Sequence, residues 1–181
     1  IVCPRKINVN SKLILKETIM EMLSNKRFYA YLKESYKNKL KEKVLEYGIN
    51  KISTTKNIKP KSFYHGVWQG RYLLADLLSI ADLFDISYNE IYENINNICF
   101  RNGGHRGKNS LPVKLPRNFE DFFYLAGLFL GDGHKQKLIL GNPELEGKVK
   151  HICDNLEIKI SKRVYARTPE LVTNVTFLEI L

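Results

Sequence analysis

No glycine or proline interrupts residues 11–47, and Tyr29, Leu32, Tyr36, Leu40, Val44 and Tyr47 recur there three or four positions apart, the period of an α-helix. The pattern predicts helices ending at Gly48. After it, Ile49 and Ile52 fit a short helix, Asn57-Ile58-Lys59 a turn, and Pro60 the first turn of another helix. Residues 49–68 thus have the outline of a helix-turn-helix, an outline that an ordinary helical hairpin shares. Leu73, Leu74, Leu77, Leu78, Ala81 and Phe84 then form an apolar helical face that Asp85-Ile86 breaks. Ser87 and Glu90 make a capping box ahead of Ile91, Tyr92 and Ile95. Residues 73–97 are a second helix-turn-helix candidate, although Glu90 and Glu93 suit its last helix better to core packing than to DNA.

The pattern changes after residue 98. Asn118-Phe119-Glu120-Asp121 supplies an N-cap and early negative charge for a helix that runs through LAGLFLGDG, Leu125 to Gly133. Lys137 to Leu140 reads as a short strand, and Asn142-Pro143-Glu144 caps a helix with the face Leu145, Val149, Ile152 and Leu156. Lys159 to Arg167 and Leu171 to Ile180 read as a hairpin. The expected class is α+β: a helical region at 1–98, a linker at 99–117, and an α-β-α-β-β region with an antiparallel sheet at 118–181.

Composition narrows the choice of partner. A chain of 181 residues with 44% hydrophobic content can form an ordinary core, and its net charge of +10 favours a polyanion. Residues 1–118 hold 21 basic and 10 acidic side chains, net +11, against 8 and 9 in residues 119–181. Double-stranded DNA is the expected partner, with Lys59, Lys61, Ser62, Tyr64 and His65 of the first helix-turn-helix as candidate contacts. The linker adds Arg101, Arg106 and Lys108. Three cysteines without CxxC spacing support neither a disulfide framework nor a zinc ribbon, so a reducing, cytoplasmic setting is expected. The four histidines share no metal-binding spacing either. The longest apolar run, Phe122 to Leu130, is too short to cross a bilayer, and no membrane role is expected. Gly104-His105-Arg106-Gly107 fits a GxxG loop, but Pro112 and Pro116 leave no room for the helix such a loop should start.

One segment carries chemistry. Gly127 and Gly131 stand four apart on one helical face, where missing side chains let another backbone approach. Asp132 falls at the helix C-terminus, where the macrodipole disfavours a carboxylate unless a cation compensates. A divalent metal is the natural candidate; a local cap is the alternative.

The string LAGLFLGDG resembles the LAGLIDADG homing endonucleases, especially the intein-encoded kind, at Leu125, Ala126, Gly127, Leu128, Asp132 and Gly133. The resemblance covers residues 111–181. It implies two such helices packed through their small residues, each bringing one aspartate to the scissile phosphates across the minor groove. It also implies Mg²⁺ held by Asp132 and the backbone carbonyl of Gly131, and phosphodiester hydrolysis by metal-activated water. In the family a sheet forms a saddle on DNA, which makes Lys159, Lys162, Arg163, Tyr165 and Arg167 candidate contacts. Two departures stand out. Only His134, Lys135 and Gln136 separate the motif from the first strand, so one strand is expected to be absent, and no second motif follows. The sequence therefore reads as a fragment or half-enzyme, weakly active alone, needing a homodimer partner or a second LAGLIDADG half. With no His-Asn ending, protein splicing is not expected. The alternative is a non-cleaving DNA-binding protein or transcription regulator of the same ancestry.

Overall fold

The computed structural model describes residues 9–25, 27–100, 112–134, 137–139, 142–158, 160–165 and 168–172. They form an α+β protein of two compact units, Ile1–Asn96 and Asn97–Leu181.

The first unit begins with α1 (Val9–Ser24), β1 (Phe28–Leu32) and α2 (Glu34–Tyr47). Helical spacing had predicted helix throughout 11–47; Phe28–Leu32 is instead a strand. Its sequence FYAYL alternates, burying Phe28, Ala30 and Leu32 and leaving the tyrosines half-buried, and such aromatic alternation suits a pleated surface better than a helix. Gly48 ends α2 as expected, at φ +98°, where a side chain would be strained. Then follow α3 (Ile49–Thr55), α4 (Pro60–Gln69), β2 (Arg71–Leu73), α5 (Leu74–Leu83), α6 (Tyr88–Asn94) and the start of β3 (Ile95–Phe100), which continues past the unit's last residue, Asn96.

Helices α2, α3 and α4 pack on one another around buried Leu40, Val44, Ile52, Ile58, Phe63 and Val67. Pro60 opens α4, and Ser87 caps α6 by accepting the Glu90 N–H at 3.1 Å, both as read from the sequence. Strand β1 pairs antiparallel with β2, Tyr29 opposite Leu73 and Tyr31 opposite Arg71, in a sheet of order β2-β1-β3. Residues 95–97, placed above in the second helix-turn-helix, belong to β3. An Asn-Asn pair disfavours helix there, and Ile95 and Ile98 are buried. Lys39 donates to Glu90 at 3.1 Å, tying α2 to α6 and holding the Glu90 carboxyl below its usual range.

The second unit contains α7 (Phe119–Asp132), β4 (Gly133–His134), β5 (Lys137–Ile139), α8 (Pro143–Asn155), β6 (Ser161–Tyr165) and β7 (Thr168–Val172). Its antiparallel sheet has the order β4-β5-β7-β6. The strand expected to be absent is therefore present: Gly133-His134 pairs with Lys137-Leu138, a hairpin two residues deep whose shortness gives no alternation to read. Strand β7 starts at Thr168 instead of residue 171. Pro169, opposite Val164 of β6, lies past the last β5 pairing at Glu170, so its missing N–H interrupts no ladder there. Asn142 caps α8 through the Glu144 N–H at 2.8 Å. The linker reading of 99–117 also changes at its ends: Val113 bridges Ile98 through paired backbone hydrogen bonds of 2.8 Å, and Leu115 is buried.

Three helix exits share one construction. Asn57, Asp85 and Glu157 adopt left-handed φ of 51°, 52° and 53°, and each is followed by an isoleucine. The N–H of Ile58, Ile86 and Ile158 donates to the carbonyl five residues back, at 3.0, 2.9 and 2.8 Å. This is the Schellman closure, with Asn, Asp or Glu where glycine is usual.

Cys153 of α8 is buried, and burial, with some help from Asp154, pushes its thiol up to about 12 from 9.0. Thiolate is the reactive form, so at pH 8 alkylation of native Cys153 should run about a thousandfold below an ordinary exposed thiol. Peptide mass spectrometry after iodoacetamide treatment, with and without urea, measures this.

Candidate metal and nucleic-acid sites

Asn118 accepts the N–H groups of Glu120 and Asp121 at 3.1 and 3.3 Å and so starts α7 where the sequence predicts. From that start, the helical period sends Phe119, Phe122, Leu125, Ala126 and Phe129 into the core. The opposite side exposes Phe123 (43%), Gly127, Leu130 (75%) and Gly131, at steps of four, three and one that keep them on one face. A Cβ added at Gly127 or Gly131 would meet nothing within 4 Å. Both predicted packing glycines thus lie on an open, apolar strip flanked by two large hydrophobic side chains. Sequence reading had found the glycines and missed Phe123 and Leu130, since a run of apolar residues hides which of them face outward.

Asp132 is the last residue of α7, and β4 follows without a linker. Its side chain lies outside the described residues, as does that of His134. Gly131 lies in the last helical turn, whose carbonyls lack helical partners. Carboxylate and main-chain carbonyl oxygens are the ligand types that suit Mg²⁺, which keeps several waters and shares its shell with substrate phosphate. Among the described residues, no three His, Cys, Asp or Glu side chains gather to hold a metal.

In the first unit, Lys59 precedes α4 as its N-cap residue, and Lys61, Tyr64 and His65 are exposed on the helix. The Ser62 side chain lies outside the described residues. Gln69 and Trp68, which sequence reading passed over, are exposed on the same helix. Trp68 lies beside Tyr64, ring centroids 6.0 Å apart, with Lys41 Nζ of α2 at 3.8 Å from its ring. Helical spacing places Trp68 one turn beyond Tyr64, so the signal was available.

Lys162, Arg163 and Tyr165 lie on β6 opposite Leu171, Glu170 and Thr168, and their side chains are outside the described residues. Arg101, Arg106, Lys108, Lys159 and Arg167 fall outside the described residues entirely. A cleft on α2, α3 and the end of α5, lined by Lys43, Glu46, Tyr47, Lys51 and Phe84, gathers no carboxylate pair or nucleophile.

No family profile matches the chain, and no solved structure matches it. It is similar to elongation factor 2 of Methanopyrus kandleri, 29% identical over 169 residues. That likeness spans 91% of this chain and 13% of the elongation factor. No helix among the described residues is long and apolar enough to cross a membrane.

Proposed function

We propose that this chain is a site-specific DNA endonuclease of the LAGLIDADG kind, intein-derived, acting as one half of a two-motif enzyme. The observation that carries the reading is α7. It carries the LAGLFLGDG string as far as Asp132, its last residue, burying one side in the core and leaving Gly127 and Gly131 open on the other. A second motif helix would lie along that open strip and bring the second carboxylate.

Asp132 and the Gly131 carbonyl would hold Mg²⁺. When bound, the metal supplies a Lewis acid and a water acidic enough to attack a phosphodiester at neutral pH. The protein's own residues do the rest. The helix end positions Asp132, and Lys59 and Lys61 at the start of α4 hold the DNA backbone. On this reading the stretch shared with elongation factor 2 is an inserted element, so nothing of translation transfers to this chain. Supercoiled plasmid carrying random inserts, incubated with Mg²⁺, tests the proposal: the chain should nick rather than cut, and a double-strand break should need the second motif helix.

If the second helix comes from another copy, the Gly127 strip is where copies meet. Gly127→Leu should then abolish self-association while leaving the fold intact, because a Cβ added at Gly127 meets nothing within 4 Å. Sedimentation velocity checks this; a dimer indifferent to the leucine would place the contact elsewhere. Exposure of Phe123 and Leu130 favours a contact at the strip itself.

A further inference from the structure

We infer that the solvent face of α4, with Lys41 of α2 beside it, is a duplex-DNA contact surface in which Tyr64 and Trp68 meet the walls of the major groove and Lys59 and Lys61 hold phosphates. The inference rests on reading the chain as a DNA-binding protein and needs nothing of Asp132.

Helix α4 buries Phe63, Gly66 and Val67 and exposes Lys61, Tyr64, His65, Trp68 and Gln69. The exposed residues follow one another at steps of three, one, three and one, a single stripe. From Lys61 to Gln69 the helix rises about 12 Å, close to the width of the major groove. Two large aromatics at 54% and 46% exposure, side by side, contribute little to this unit's core. They are nonetheless held in place, Tyr64 against Trp68 and Lys41 over the indole at 3.8 Å. An ordered aromatic pair loses little entropy on docking.

Charge selects the occupant. No Asp or Glu occurs between Glu46 and Asp76, whereas Lys51, Lys56, Lys59, Lys61 and Arg71 do. Such a field attracts a polyanion. Single strands bind by stacking bases on free ring faces. Here Lys41 and Tyr64 already occupy space around the indole, so Trp68 is a poor stacking platform, and its edge and that of Tyr64 suit sugar and thymine methyl contacts.

Trp68 is the chain's only tryptophan, so its emission reports on this surface alone. The full chain is titrated at low salt with a mixed-sequence duplex roughly two helical turns long, following DNA anisotropy and tryptophan emission together. Single-stranded DNA and RNA of the same sequence are run in parallel. Both signals should change at the same duplex concentration, with single strands weaker. Trp68→Ala should weaken binding by about tenfold with unchanged circular dichroism, and Lys61→Gln should reduce the slope of log K against log salt by about 1. Duplex binding with unaltered Trp68 emission, wild-type affinity in both variants, or tighter binding of either single strand would overturn the surface assignment and leave the wider DNA-binding reading standing. No duplex binding at all would overturn both.

Discussion

Asp132→Asn should reduce DNA cleavage below about one-hundredth of the wild-type rate and leave DNA affinity within about twofold. The asymmetry follows from where the residue sits. It ends α7, away from the α4 lysines in sequence and in a different compact unit, so binding contacts survive its loss. The neutral amide is a poorer metal ligand than the carboxylate. Removing a negative charge from a helix C-terminus should also raise stability without metal by about 0.3–1 kcal/mol. The measurement is plasmid cleavage with Mg²⁺ by wild type and variant, each completed by its second motif helix, beside a binding titration. Equal cutting by both would end the assignment of Asp132. Binding without cutting in the wild type would favour the non-cleaving regulator.

The largest expected effect on stability comes from a single methyl group. Gly66→Ala gains about 1 kcal/mol of helix propensity in the middle of α4, yet its Cβ would come within 2.9 Å of Cγ of Tyr72 and closer still to Cδ1 and Cε1. Tyr72 cannot step aside cheaply. Its ring is buried on β2 with Phe63 beside it at 6.4 Å, and its hydroxyl is already enclosed without a partner, which with burial pushes its ionisation well above the usual tyrosine range. Overpacking should outweigh propensity and leave a net loss of about 2 kcal/mol, a fall in Tm on the order of 10 °C for a unit of this size. Gly147→Ala in α8 is the control, because an added Cβ there meets nothing within 4 Å and should stabilise by up to about 1 kcal/mol. Thermal unfolding of both variants decides the matter.

Helices with caps were legible from sequence. Gly48, Pro60, Ser87, Asn118 and Asn142 each mark an end by local chemistry, and each lies where it was read. Strands were not legible in the same way. Phe28–Leu32 satisfied helical spacing through Tyr29 and Leu32, and only the pairing with residues 71–73, about forty positions away, decides for a strand. Gly133-His134 is too short to carry any period, and its partner defines it. The candidate sites divide along the same line. The motif helix announces its glycines and aspartate as letters, whereas the exposure of Phe123, Leu130 and Trp68 depends on what packs opposite them.

The left-handed exits at Asn57, Asp85 and Glu157 bear on the order in which this chain assembles. Each is closed within six residues by a bond from an isoleucine N–H, so closing it carries only a small loop-entropy penalty. Strand pairing between residues 31 and 71, or 137 and 172, must wait until much longer loops close. The ends of α3, α5 and α8 therefore close through contacts local in sequence, whereas both sheets depend on distant ones.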